Sequence, residues 1–94
     1  MAICVYHAPM SMTEANYLAV LEKLEAAGQG KPSGRAFHTA FWEGTNLHVF
    51  DVWVSQEQFD AFGAVLMPIL AEVGVGDAPP QISTVYNTIT GDAA

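Results

Sequence analysis

Apolar residues along this chain change period several times, and the changes mark out its elements. Residues 2 to 7, AICVYH, are β-branched and aromatic and are followed by Pro9, which predicts a first strand. Ser11 to Glu14, SMTE, has capping-box spacing and predicts a helix start. Tyr17, Leu18, Leu21 and Leu24 then recur at helical spacing, while Glu14, Glu22, Lys23 and Glu25 largely face water. The run Gly28 to Gly34, GQGKPSG, ends that helix in a loop.

Arg35 to Trp42 and Leu47 to Val54 read as two strands joined by a tight turn, EGTN, at 43–46. Ser55 to Gln58, SQEQ, repeats the capping spacing and opens a second helix with Phe59, Phe62, Leu66 and Leu70 on one face. Pro68 falls inside that pattern and predicts a kink or split near Met67. Gly74 to Pro80 is a loop, Gln81 to Thr90 a last strand, and the tail GDAA is expected to be loose. The order β-α-β-β-α-β is the ferredoxin-like α+β unit, one domain over residues 1–94, with a four-stranded antiparallel sheet carrying two helices on one face.

A sheet with one wet face alternates apolar and polar residues, and the central hairpin does not. Phe37, Thr39 and Phe41 project to one side and Ala36, Ala40 and Trp42 to the other; Phe50, Val52 and Val54 oppose Leu47, Val49 and Trp53. Helices cover only one of these faces. A second copy packed sheet to sheet is therefore expected to cover the other, giving a homodimer. Composition points the same way, since 51% of the 94 residues are hydrophobic and only 14% charged.

Ten acids against Lys23, Lys31 and Arg35 leave a net charge of −7, too few cations for a nucleic-acid partner or an anionic membrane surface. No apolar run approaches the roughly 18 residues of a membrane span. MAICVYHAPMSM has no basic region of the signal-peptide kind, and Cys4 is the lone cysteine. A cytoplasmic protein is the expectation, with Cys4 as a small buried hydrophobe.

Asp51 sits in the middle of an apolar strand, where a carboxylate is costly unless paired. A turn centred on Gly44 and Thr45 sets opposed residue numbers to sum to 89, which places His38 directly across from Asp51 on one face. Ala36, Ala40, Trp42, Val49 and Trp53 share that face. The carboxylate would orient the imidazole through one ring N–H, favour its cationic form and leave the other nitrogen to take a proton from a ligand. The bland alternative is a His–Asp pair that only satisfies itself inside a sheet.

The strand-to-helix run LHVFDVWVSQEQFDAF, with its acid-x-aromatic step at Asp51 to Trp53 and its capped helix at Ser55, resembles the dimeric α+β barrel superfamily. In particular it is similar to small proteins of the antibiotic-biosynthesis monooxygenase type, over nearly the whole chain. The resemblance implies a range of activities. Some members oxidise anthrones or quinols with O2 and no cofactor, some cyclise polyketides with a Tyr/His pair, some degrade haem, and many have no known activity.

Haem degraders of that group use a helical histidine, whereas His7, His38 and His48 all fall in expected strands, so haem chemistry is not expected. No metal site is expected either, because the hairpin register puts His48 on the face opposite His38. His48 reads as a rim residue beside Phe41. The catalytic candidates are His38 and Asp51. Trp42 and Trp53 could stack on a flat ligand, as against serving as plain core. His7 at a pocket mouth and Tyr86 on the last strand complete the candidate binding set. Two readings follow: a cofactor-independent oxygenase or cyclase acting on a small aromatic substrate, or a non-catalytic dimer that binds an apolar molecule or serves a structural role.

Overall fold

A computed structural model describes residues 1–92; what was expected of Ala93 and Ala94 lies outside them. The elements are β1 (Ile3–His7), α1 (Glu14–Ala26), β2 (Arg35–Glu43), β3 (Asn46–Trp53), α2 (Gln56–Val73) and β4 (Gln81–Thr84). They form one antiparallel sheet in the order β2-β3-β1-β4, with β1 paired to both β3 and β4. This is the ferredoxin-like α+β architecture that the element order predicts.

Alternation positions the core. Ile3, Val5 and His7 of β1 and Leu47, Asp51 and Trp53 of β3 point to the helices and are buried. Val20 and Leu24 of α1 and Phe59, Phe62 and Leu70 of α2 close over them. The inward stripe of α1 runs Tyr17–Val20–Leu24, not through Leu18, which is exposed. Three and four residue steps put those three on one face, and Leu18 lies about 100° round the helix from Tyr17.

Three local expectations are corrected. The cap of α1 is Thr13, whose Oγ1 accepts from Asn16 N at 3.1 Å while Asn16 Oδ1 accepts from Thr13 N at 3.2 Å. The capping box therefore sits two residues beyond the expected Ser11. Second, of the kink or split expected near Met67 the split does not occur: α2 runs from Gln56 to Val73 with Pro68 inside it, capped by Ser55 at one end and by left-handed Gly74 (φ 90°) at the other. Proline forfeits one N–H there, but Leu70 on the next turn is locked into the core and the helix continues. Third, β4 stops at Thr84 instead of Thr90. Its neighbour β1 begins at Ile3, and the bond from Val85 N to Ala2 O is the last that this edge supplies.

The hairpin register is as expected from Glu43↔Asn46 through His38↔Asp51 to Phe37↔Val52. Gly44, at φ 64°, occupies the first central position of the turn, where a left-handed backbone favours glycine. Below Phe37 the ladder shifts: Arg35, not Ala36, pairs with Trp53. Ala36 is thus the extra residue of a β-bulge, and the bulge turns Arg35 onto the helix-covered face. Among the described residues no helix is long and apolar enough to cross a membrane.

Candidate active site

A cavity opens between the sheet and the two helices, with almost wholly apolar walls that include Val5, Val20, Val49, Phe59, Phe62 and Leu70. The cavity is open to solvent on one side, so a bound molecule would keep one end facing water. The polar side chains that reach it are His7, Tyr17, Arg35, His38 and Asp51.

His38 and Asp51 meet as the register requires, with Nδ1 2.5 Å from Oδ1. The second carboxylate oxygen, Oδ2, accepts from the indole Nε1 of Trp53 at 3.3 Å. Asp51 is buried, and these two donors answer the cost of placing a carboxylate there. An ionised Asp51 can only accept, so Nδ1 of His38 carries the proton and Nε2 of the neutral ring presents a lone pair.

That lone pair is used. The phenol of Tyr17, on the inward stripe of α1, lies 2.7 Å from His38 Nε2, and the two rings are within 5° of parallel. Tyr17 O–H, His38 and Asp51 make one continuous hydrogen-bonded chain from the cavity to the sheet. Burial pushes the Tyr17 pKa above its ordinary 10.0, the positive charge of Arg35 pulls the other way, and the negative charge of Asp51 adds to the rise. The phenol is therefore neutral at physiological pH, and toward an unprotonated His38 Nε2 it is the donor.

His7 also lines the cavity, and its Nε2–H donates to the carbonyl of Ala78 at 3.1 Å, tying β1 to the loop before β4. Burial holds its pKa below 6.5, opposed chiefly by the Ala78 hydrogen bond. The remaining candidate binding residues stand elsewhere. Trp53 is wholly buried behind the site, with its edge to Phe59 and its N–H on Asp51. Trp42 shares the face of His38, but it lies at the turn end of β2, lines no part of the cavity and is mostly exposed. Tyr86 stands two residues past the end of β4, lines no part of the cavity and is fully exposed.

Two site residues escaped the sequence reading. The periodicity places Tyr17 only on a helix face; the signal for a site role is its hydroxyl, since a tyrosine on an inward stripe needs a buried partner. Arg35 reaches the cavity only because of the bulge at Ala36. Its guanidinium lies 5.9 Å from the centre of the Phe62 ring, with one N–H directed to Gly30 O at 3.4 Å. The open face of the sheet carries a separate pair, Tyr6 and His48, whose hydroxyl and Nδ1 are 2.7 Å apart. Among the described residues no group of three or more His, Cys, Asp or Glu is arranged to hold a metal ion.

No protein-family model matches the chain, and no curated protein matches it significantly in sequence. Solved structures do match. SnoaB, a cofactor-independent oxygenase from Streptomyces nogalater, superposes with a TM-score of 0.66 at 19% identity, over 96% of this chain and 97% of its own. The ActVA-Orf6 monooxygenase of Streptomyces coelicolor, in complex with nanaomycin D, gives a TM-score of 0.59 at 16% identity, over 97% and 92%. Rv0793 from Mycobacterium tuberculosis gives 0.57 at 14% identity, over 97% of each chain. The chain shares the α+β fold of these three proteins over nearly its whole length, which is the fold that its strand-to-helix run resembles.

Proposed function

We propose that this cavity is the active site of a cofactor-independent oxygenase or cyclase acting on a small, enolisable or phenolic aromatic molecule. The observation that carries the reading is the chain from Tyr17 Oη through His38 Nε2 and Nδ1 to Asp51 Oδ1, which starts on an apolar, open cavity. A His–Asp pair with a purely structural role would be sealed. This one is reached from outside through a phenol.

In the proposed first step the substrate C–H or O–H gives its proton to Tyr17 Oη as the Tyr17 proton passes to His38 Nε2. The imidazolium so formed is held by Asp51, and the electron pair stays on the substrate. The low-dielectric walls exclude the water that would reprotonate it. A carbanion or phenolate that meets O2 transfers an electron to it and leads to oxygenation; one that meets an internal carbonyl closes a ring. The two named oxygenases with this fold support the first branch.

The same reading includes a homodimer joined through the open sheet face, where Phe37 is exposed beside Phe50 and Tyr6 stacks near Phe41, and a cytoplasmic setting. The test of the chemistry uses an anthrone in aerated buffer, following quinone absorbance and O2 uptake. Wild type should accelerate both, and His38→Gln should lose on the order of 10²–10⁴-fold. Equal rates with wild type, His38→Gln and buffer would remove the proposal.

A further inference from the structure

Arg35 makes no hydrogen bond within the proton relay, yet the fold goes to some length to bring it to the cavity. The bulge at Ala36 turns it inward, and the residue before it, Gly34, adopts φ +92° with its α-carbon against the Gln58 side chain, where a Cβ would lie 2.5 Å from Gln58 Cδ. Gly34 O in turn accepts from Val54 N at 2.8 Å, which pins this corner to the end of β3. Of the three cations in the chain, Lys23 is paired with Glu72 on the surface and Lys31 is exposed; Arg35 alone lines the cavity.

A guanidinium offers five N–H donors. Among the described residues the one protein acceptor in reach is Gly30 O at 3.4 Å, a long bond, and no carboxylate lies within 4 Å. The one acid that lines the cavity, Asp51, is engaged by His38 and Trp53. A cation at the edge of an apolar pocket with its donors unspent is suited to an anion that the pocket brings to it.

Charge balance says which anion. With the imidazole unprotonated, the state in which the relay can take up a proton, the site holds Arg35⁺, Asp51⁻ and neutral His38 and Tyr17, a sum of zero. A ligand that arrives already ionised leaves a net negative charge beside apolar walls, which is costly. One that arrives neutral and ionises in place leaves two pairs, imidazolium with Asp51 and ligand anion with Arg35, and the sum stays zero.

We propose that Arg35 is the anion seat of this cavity, so that its ligand is an apolar, weakly acidic phenol or enolisable carbonyl compound that enters neutral, loses its proton to the Tyr17–His38 relay and is held as the oxyanion by the guanidinium. This rests on the relay proposed above for the source of the ionisation, but not for the binding of the anion. The ligand O–H or C–H bond breaks, the relay delivers a proton to His38 Nε2, and the electron pair remains on the ligand.

The probe is 4-nitrophenol, whose phenolate is visible in the absorption spectrum, with 4-nitrotoluene as its non-ionisable analogue. Both are titrated into wild type, Arg35→Met, Arg35→Lys and His38→Gln. Bound to wild type, 4-nitrophenol should be ionised at a pH where the free probe is still largely protonated. Arg35→Met should bind it about tenfold or more weakly and hold it protonated, with Arg35→Lys between, since loss of a charge-assisted contact is worth about that factor. All variants should bind 4-nitrotoluene as wild type does, which also reports that the cavity is intact. His38→Gln separates the two ideas: at a pH where the free probe is already ionised it should still bind phenolate through Arg35, more weakly than wild type because no imidazolium then balances Asp51. If relay variants leave ionisation of the bound probe unchanged while Arg35→Met abolishes phenolate binding, the relay is wrong and the anion seat stands. Phenolate binding that is equal in wild type and in both Arg35 variants, or absent from wild type, overturns the proposal.

Discussion

The indole N–H of Trp53 donates to Oδ2 of Asp51 at 3.3 Å, from two residues further along the same face of β3. Trp53 has no exposed surface, so the largest side chain of the core also serves as a donor to the one acid in the strand. Asp51 is thereby part of the packing as well as of the site, and removing it has two consequences that separate experimentally.

The first is stability. Asp51→Ala strands His38 Nδ1–H and Trp53 Nε1–H without a protein acceptor, at a cost of about 1–3 kcal/mol for a buried donor. The urea midpoint should fall by that amount with an unchanged slope. Asp51→Asn keeps one acceptor oxygen and should lose less. Any hydrogen-bonded Nδ1 proton resonance of His38 seen at low field in wild type should be absent from Asp51→Ala. An unchanged midpoint would mean that the two donors find water at no cost.

This part of the site was legible in the sequence because a single turn governs it. With Gly44 and Thr45 at the bend, parity alone puts His38 opposite Asp51, and seven residue pairs of the ladder keep that register. Arg35 was not legible, since the bulge residue is Ala36 and RAFH contains no glycine to mark it. Tyr17 was not legible either: its meeting with His38 is set by how α1 rotates on the sheet, a packing outcome over 21 residues of chain. Tyr86 lies outside the sheet for a simpler reason. VYNTIT has strand propensity, but propensity gives no strand where no neighbour offers hydrogen bonds.

His7 gives a prediction in the acid direction. Its pKa in the fold lies below 6.5, chiefly through burial. An unfolded chain therefore takes up a proton on His7 as the pH falls through that value while the folded chain resists, so the unfolded state binds more protons. The stability that His7 contributes is complete above 6.5 and is lost as the pH falls through the folded-state value. Urea midpoints taken from about pH 7.5 to about pH 5.5, before carboxylates dominate, should drop more for wild type than for His7→Gln. Parallel curves would show that His7 is not the group responsible.

The open sheet face gives a prediction about assembly. Phe37 and Phe50 lie with ring centres 6.2 Å apart on a surface that no helix covers, next to Tyr6 and Phe41. Apolar ground of this kind is rarely left wet. Sedimentation at micromolar concentration should give about twice the chain mass of 10.1 kDa. Phe50→Glu places a charge at its centre and should return the mass to that of one chain while leaving the circular dichroism of the fold in place. Wild type sedimenting as one chain would mean the face is solvated.

Tyr17 gives a prediction in the alkaline direction. Its pKa lies above 10.0 because burial disfavours the phenolate, with Arg35 partly opposing. Above that value an unfolded chain has lost the proton and the folded chain still holds it, so stability falls as the pH rises toward the folded-state value. Below 10.0 the group is protonated in both states and contributes no pH dependence. Tyr17→Phe keeps the ring and removes only the hydroxyl, so near neutral pH it should cost no more than about 0.5–1.5 kcal/mol, the net worth of one hydrogen bond. Above pH 10 its urea midpoint should decline less steeply than that of wild type, because one of three titrating tyrosines is gone. Arg35→Met removes the opposing charge and should push the ionisation of Tyr17 higher still, read as a later rise of phenolate absorbance against the Tyr17→Phe baseline. If Arg35→Met leaves that rise where wild type has it, the guanidinium does not act on the phenol, and the electrostatic link between anion seat and relay is lost with it.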